Sequence, residues 1–266
     1  LTEVLQRNLS RGFKNLKIFE AGRIFIPGER QGSASIPPLG ERPSDEVLAD
    51  LNAGIPEQPV YFSGLFAGAE HEPMPGTQAR AYDWRDALDA ARLIADVLGV
   101  EIVIAQGTHQ AFHPGRTAQL RTQDGQTIGY AGELHPKLLQ TENLPERTCA
   151  FEVNFTELFA SRSGVPQASP IYGYPAATQD VALVVDEDIP ASEVAQALRD
   201  GAGELLEDLR VFDDYRGQGV ESGKKSLAFA MRFRAPDRTL TAEEASASRE
   251  AAVAVAAERF GAVARV

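Results

Sequence analysis

The order of the predicted elements after residue 170 is the strongest constraint on the fold of this chain. Runs rich in apolar and β-branched residues predict four strands there, at 181–185, 205–215, 226–234 and 262–266. Helical patterns at 192–198 and 241–260 separate the first strand from the second and the third from the fourth. This β-α-β-β-α-β order is that of the ferredoxin-like motif, in which two helices cover one face of an antiparallel sheet.

Both helices of this motif have recognisable ends. Pro190 introduces the first helix, and we expect Gly201 to end it. Thr241 and Glu244 have the spacing of a capping box at the start of the second helix, and Gly261 follows its last turn. Because both helices cover the same face of the sheet, the other face is predicted to be free for a partner.

The third strand of the motif is predicted to separate large apolar side chains from small and basic ones. The residues expected to face the helices are Leu227, Phe229, Met231 and Phe233. The residues expected on the free face are Ser226, Ala228, Ala230, Arg232 and Arg234. If Val211 of the second strand faces the helices, Arg210 and Phe212 share the free face. Small residues flanked by arginines suit a flat polyanion, although a solvated face with ordinary charges stays open as an alternative.

The first part of the chain is predicted to be a separate mixed α and β domain. Alternation of apolar and polar residues at 16–25 predicts a strand, and an apolar stripe at 83–98 predicts a helix. Further strands are predicted at 59–67, 101–105, 117–122, 126–134 and 150–153. The stretch 161–170 consists mainly of small and polar residues and contains proline, so we predict that it is a linker. The two predicted domains are 1–162 and 171–266.

Charge and cysteine content limit the functions that the chain can have. The formal net charge of −12 argues against a protein that binds nucleic acid independently of its sequence. Residues 210–238 differ from the rest, with seven basic side chains against four acidic ones. The single cysteine, Cys149, excludes an internal disulfide framework and is expected to be a small buried residue of a cytoplasmic protein. The chain begins at Leu1, so we expect a fragment of a longer protein.

No catalytic or metal-binding set stands out in the sequence. The segment 113–116 is predicted to be a structural turn that enters a strand, with Arg116 paired to a carboxylate. Asp83 is expected to cap the helix start, and Asp86 is expected on the solvated side of that helix. No glycine-rich phosphate loop, Ser/His/Asp set or reactive-cysteine signature is present. Three histidines lack the spacing of a zinc motif: His109, His113 and His135.

Several short sequence motifs can be recognised along the chain. In the second part these are YPA at 174–176, DVALVV at 180–185, FDDYRG at 212–217, GKKSLA at 223–228, FRAPDRTLT at 233–241 and ERFGA at 258–262. In the first part they are FEAGRIF at 19–25, FHPGRTA at 112–118 and GYAGELHP at 129–136. Together these strings resemble the β-subunit family of bacterial phenylalanine–tRNA ligases over nearly the whole chain.

This resemblance implies an α+β fold with two domains. The first is a class II synthetase-like antiparallel sheet domain without a working active site, and the second is a ferredoxin-like anticodon-binding domain. The resemblance implies no catalytic residue, metal or cofactor in this chain, whereas the whole enzyme uses ATP and magnesium. It also implies an (αβ)₂ tetramer with the α subunit, in the cytoplasm, that binds tRNA(Phe) and neither DNA nor a membrane.

The RNA-binding hypothesis rests on rings and cations near the second and third strands of the ferredoxin-like domain. Unpaired bases of RNA stack on aromatic rings, and phosphates pair with Arg and Lys side chains. Many family members have two arginines after the YPA opening, but Thr178 and Gln179 stand there and supply no positive charge. Simple strand-edge packing of the aromatic residues stays open as an alternative. The candidate contacts are Arg210, Phe212, Tyr215, Arg216, Lys224, Lys225, Arg232, Arg234, Thr178 and Gln179.

Two other kinds of function are considered. The chain could be a ferredoxin-like regulatory or protein-interaction module fused to a non-catalytic α+β domain, because superfolds host many functions. An independent enzyme is the least favoured interpretation, because no catalytic set is present.

Overall fold

The computed structural model describes residues 1–28, 36–37, 39–164, 168 and 171–265. The chain divides into two compact units, Leu1–Gln167 and Ala168–Val266. This division lies inside the predicted linker, part of which is outside the described residues, as is Val266 of the predicted last strand. Each unit has its own antiparallel sheet and its own apolar core. The predicted α+β fold class is confirmed.

Unit 1, Leu1–Gln167, is built on a six-stranded antiparallel sheet. The strands lie in the order β1-β2-β6-β5-β4-β3, so β1 and β3 form the two edges of the sheet. Gly125, at φ 89°, closes the predicted tight hairpin between β4 and β5. The strands are β1 (Leu16–Arg23), β2 (Val60–Ala67), β3 (Val103–Gln106), β4 (Phe112–Arg121), β5 (Thr127–Leu134) and β6 (Cys149–Asn154).

Helices cover both faces of this sheet. The helices are α1 (Thr2–Ser10), α2 (Asp45–Ala53), α3 (Trp84–Leu98), α4 (Pro136–Thr141) and α5 (Phe155–Ala160). Helix α3 packs on one face, and α1 and α4 pack on the other. The sequence patterns missed α2, α4 and α5. Helix α2 buries none of its residues, and α4 and α5 have six residues each, so none of the three carries a long apolar stripe.

Helix α3 begins at the cap that its sequence predicts and ends at a glycine. The Asp83 side chain accepts a hydrogen bond from the backbone N–H of Arg85, and Gly99 ends the helix at φ 66°. Its inner stripe, which includes Leu88 and Ala91, is buried against the sheet. This packing gives unit 1 the larger part of its core.

A buried carboxylate lies near this core. Glu133 is 2% exposed and pairs with Arg116 at 2.8 Å and with Arg147 at 3.0 Å. The predicted pairing of Arg116 with a carboxylate is therefore confirmed, but the predicted turn at 113–116 is wrong, because these residues lie within β4. The thiol of Cys149 is buried as predicted, and this burial raises its pKa to about 12.

Unit 2, Ala168–Val266, has four strands and two main helices in the predicted order. The sheet order is β10-β7-β9-β8 with all neighbours antiparallel, which is the ferredoxin-like arrangement. The elements are β7 (Ala177–Asp186), α6 (Ala191–Ala202), β8 (Leu206–Tyr215), β9 (Lys224–Phe233), α7 (Ala242–Phe260) and β10 (Val263–Ala264). None of the helices in the described part of the chain is long and apolar enough to span a membrane.

The core of unit 2 lies between the sheet and the two helices. All four residues of β9 that were predicted to face the helices are buried, with at most 1% of their surface exposed. Thr241 and Glu244 form the predicted capping box of α7. Gly201 does not end α6, which continues to Ala202. A Cβ at Gly201 would lie 2.7 Å from the Cα of Ala252 in α7, so this glycine lets the two helices approach closely.

Candidate nucleic-acid interface

The face of the unit 2 sheet that points away from α6 and α7 carries most of the predicted RNA contacts. We call it the open face. Residues directly opposite each other on antiparallel strands point to the same face, so the register defines its members. In the described part of unit 2, neither helix packs on it. Its residues are Thr178, Asp180, Ala182, Val184, Asp186, Asp208, Arg210, Asp213, Tyr215, Lys224, Ser226, Ala228, Ala230, Arg232 and Val263.

A β-bulge at Phe212 determines which residues of β8 reach the open face. Val211 pairs with Phe229 and Asp213 pairs with Ala228, so Phe212 is one extra residue on β8. Regular alternation from Arg210 would turn Tyr215 toward the helices. The extra residue shifts the alternation, and Tyr215 joins the open face.

The two aromatic side chains of β8 are accessible. Phe212 is 54% exposed and Tyr215 is 37% exposed. The hydroxyl of Tyr215 donates to the backbone carbonyl of Gln218 at 3.2 Å, which holds the ring against the β8–β9 loop. The guanidinium of Arg265 lies over the same ring, 5.5 Å from its centroid. Arg265 was missed by the sequence analysis, because it follows a two-residue strand and shares no local motif with Tyr215.

Glu207 binds two of the predicted cations. Arg232 pairs with Glu207 at 2.6 Å, and Arg234 pairs with the other carboxylate oxygen of Glu207 at 2.9 Å. Arg234 also donates to the backbone carbonyl of Tyr174, and only 12% of its side chain is exposed. Arg232 is 50% exposed and can still contact a ligand. Arg234 has mainly a structural role, because it binds the segment before β7 through Tyr174.

Two more predicted cations lie among acidic side chains at the other end of β8 and β9. Arg216 pairs with Glu187 at 3.2 Å and with Asp214 at 3.1 Å. Lys224 lies 4.0 Å from Asp186. All of these side chains are at least one-third exposed, so the pairs are weak and solvent-screened.

Arg210 differs from these paired cations. It is exposed in the middle of β8, opposite Ala230, and forms no ion pair with the residues that the structure describes. Its neighbours on β9 and β7 in the same row are Ala230 and Asp180. Arg210 is therefore the predicted cation most available to a phosphate.

The structure separates two candidates from the rest. Gln179 pairs with Met231 in the register, so it points to the helices, where its amide donates to the hydroxyl of Ser246 at 3.0 Å. Lys225 pairs with Val185 on the same side and is only 5% exposed. Neither residue lies on the open face, and we leave both out of the interface.

Three histidines of unit 1 accept hydrogen bonds from the backbone. The Nδ1 atoms of His109, His113 and His135 each accept a hydrogen bond from a main-chain N–H two residues further on. Across the described ranges of the chain, no group of three or more His, Cys, Asp or Glu side chains could hold a metal ion.

Comparison with known families agrees with this architecture. Residues 173–265 match the family model described as "Ferredoxin-fold anticodon binding domain". Residues 1–155, more than half of the chain, match "Phenylalanyl tRNA synthetase beta chain CLM domain". The chain belongs to the phenylalanyl-tRNA synthetase β-chain family.

Similar members of this family come from several bacteria. A protein named "Phenylalanine--tRNA ligase beta subunit" from Streptomyces avermitilis is 48% identical over 100% of this chain and 32% of its own length. Proteins of the same name from Leifsonia xyli subsp. xyli and Thermobifida fusca are 47% and 44% identical, again over 100% of this chain and 32% of their own lengths. The chain thus spans about a third of the curated relatives that it matches.

Proposed function

We propose that this chain is part of the β subunit of an enzyme that attaches phenylalanine to its tRNA, and that the open face of unit 2 binds the anticodon region. The names of the relatives and the two family matches support the enzyme. The observation that carries the binding role is the uncovered sheet face that presents Arg210, which has no ion pair among the described residues, and the partly exposed ring of Tyr215. The exposed ring of Phe212 lies between them along β8, at the bulge.

The chemistry of this face suits single-stranded RNA. An unpaired base can stack on an aromatic ring such as that of Phe212, and stacking tolerates any base identity. The guanidinium of Arg210 is free to donate to a phosphate. The small side chain of Ala230, beside Arg210, leaves room for a splayed loop to approach the backbone.

The role of the chain in the reaction would be positional. Docking of the anticodon region on unit 2 would orient the tRNA while its acceptor end reaches an active site on the α subunit of an (αβ)₂ tetramer. The whole enzyme would use ATP and Mg²⁺ at that active site. Unit 1 would serve assembly with the α subunit, and the enzyme would work in the cytoplasm.

Binding of an anticodon stem-loop to this chain tests the proposal. Fluorescence anisotropy with labelled phenylalanine anticodon stem-loop should detect binding that weakens as salt rises. Phe212→Ala should weaken it about tenfold, because stacking is worth ~1–3 kcal/mol per base. Arg210→Ala should lower the slope of log affinity against log salt by about one.

Arg199→Ala is the matched control, because Arg199 is exposed in the last turn of α6, on the helical side of unit 2. This variant should bind like the unmodified chain. If Phe212→Ala and Arg210→Ala both bind the stem-loop as tightly as the control, the open face is not the RNA site. A ferredoxin-like protein-interaction module would then be the better description of unit 2.

A further inference from the structure

We infer that Arg265 is a further recognition residue of the open face, whose guanidinium, held over the ring of Tyr215, forms the platform for one unpaired nucleobase and contacts its phosphate. This inference rests on the proposed RNA-binding function and extends it to a residue at the opposite edge of the sheet. The ligand class is a nucleotide of a single-stranded RNA loop.

The backbone places the Arg265 side chain on the open face. Val263 pairs with Val184, and the backbone N–H of Arg265 donates to the carbonyl of Ala182 at 2.8 Å, so the ladder continues past β10. Side chains alternate along a strand, and Val263 is on the open face, so Arg265 is there as well. The hydrogen bond to Ala182 holds its Cα at the sheet edge.

The side chain then crosses the sheet. Strands β10 and β8 are opposite edges, with β7 and β9 between them, yet the guanidinium of Arg265 reaches the ring of Tyr215 on β8. The row that it starts from contains Ala182 and Ala228, whose short side chains leave room for an extended arginine. A Cβ at Gly219 would be 3.4 Å from its Nη2 atom, so the guanidinium also reaches the β8–β9 loop.

Arg265 forms no ion pair within the described part of the chain, unlike the paired cations Arg232 and Arg216. A guanidinium that lies over a ring keeps N–H groups free for hydrogen bonds, and its planar face can stack on a base. With the guanidinium in this position, a base that approaches Tyr215 meets Arg265 first. Arg265 can therefore contact the base and its phosphate at once.

Three substitutions separate this role from a structural one. Arg265→Ala should weaken stem-loop binding about tenfold and lower the salt slope by about one, with an unchanged Tm. Arg265→Lys should restore the salt slope without restoring the full affinity, because a lysine keeps the charge but has no planar group to stack. The double variant Tyr215→Leu/Arg265→Ala should lose less binding free energy than the sum of the losses of the two single variants. The reason is that each single substitution already removes the contact between the two side chains.

Several results would overturn the inference. If Arg265→Ala binds as tightly as the unmodified chain while Arg210→Ala binds more weakly, Arg265 is no recognition residue and the proposed function stands. If Arg265→Ala lowers the Tm and leaves the salt slope unchanged, the side chain only ties β10 to the β8–β9 loop. If none of Arg265→Ala, Arg210→Ala and Phe212→Ala changes binding, the proposed function itself fails.

Discussion

Asp86, in the first turn of α3, receives three hydrogen bonds that its sequence position does not reveal. Arg80 donates to both carboxylate oxygens, at 2.9 and 2.6 Å, and the backbone N–H of Asp83 donates at 2.8 Å. The side chain is 15% exposed, so the expectation of a solvated carboxylate is wrong. Burial by itself would raise the pKa of Asp86, but the bonds from Arg80 and Asp83 lower it overall.

This lowered pKa gives a prediction for stability against pH. The ionised carboxylate stabilises the fold above the unfolded-state pKa of ~4, and the contribution is lost as pH falls through the lower folded-state value. Chemical denaturation should therefore find Asp86→Asn less stable by about 1 kcal/mol at neutral pH. The difference should shrink when the measurement is repeated at an acidic pH below the unfolded-state value of ~4. Asp89→Asn, at an exposed position of the same helix, is the control. An equal deficit for Asp86→Asn at both pH values would exclude this account.

At the scale of elements, one extra residue in β8 decides the composition of the open face. The sequence pattern places Arg210 and Phe212 on one face by simple alternation, and both are exposed. The register puts Arg210 on the open face, whereas Phe212 is the bulge residue and has no partner opposite it on β9. The bulge at Phe212 also brings Tyr215 and Asp213 to this face, which alternation would not. A bulge depends on how β8 pairs with β9, so it leaves no periodic signal in β8 itself.

The contact between α6 and α7 gives a prediction at the same scale. An alanine in a helix is normally favoured over glycine by ~1 kcal/mol. At Gly201 the added methyl would meet Ala252 at 2.7 Å and force the helices apart, so Gly201→Ala should destabilise the chain by about 1–3 kcal/mol. Urea denaturation measures the change. Gly173→Ala, where nothing lies within 4 Å of the new methyl, should be neutral, and a stabilised Gly201→Ala would contradict the close approach.

At the scale of the molecule, the two units present different kinds of surface. Unit 2 offers rings and arginines on a free sheet, which suits RNA. Unit 1 has a groove of about 790 Å³ between α3 and the edge of its sheet, lined by apolar residues such as Phe19, Phe62 and Leu93. Phe19 is 74% exposed and Leu93 is 62% exposed. Exposed apolar patches of this kind mark protein contacts, which is consistent with the proposed assembly role of unit 1.

Assembly can be tested by co-purification with the α subunit. A lysine at position 93 would place a charge in the groove, and burying it against a partner would be costly. Leu93→Lys should therefore reduce recovery of the α subunit at least tenfold, with the fold of the chain unchanged by circular dichroism. Val103→Lys, at the opposite sheet edge on β3, makes the same kind of change and should co-purify normally. Equal recovery with both variants would place the subunit contact elsewhere.

The sequence by itself was enough for the features that local patterns encode. The order of elements in unit 2, the capping box at Thr241 and the stripe of β9 that faces the helices were all predicted, and the structure confirms them. The family resemblance was also carried by short strings. These features depend on residues a few positions apart, where periodicity and capping act.

Tertiary structure decided which of the candidate RNA-contact residues lie on the open face and what each of them contacts. It turned Gln179 toward α7, buried Lys225, paired Arg232 with Glu207 and brought Arg265 onto Tyr215 from the other edge of the sheet. Each of these outcomes depends on strand register or on a contact between residues far apart in the chain. A local pattern records which side of a strand a residue prefers, but only the packed sheet determines what lies opposite it.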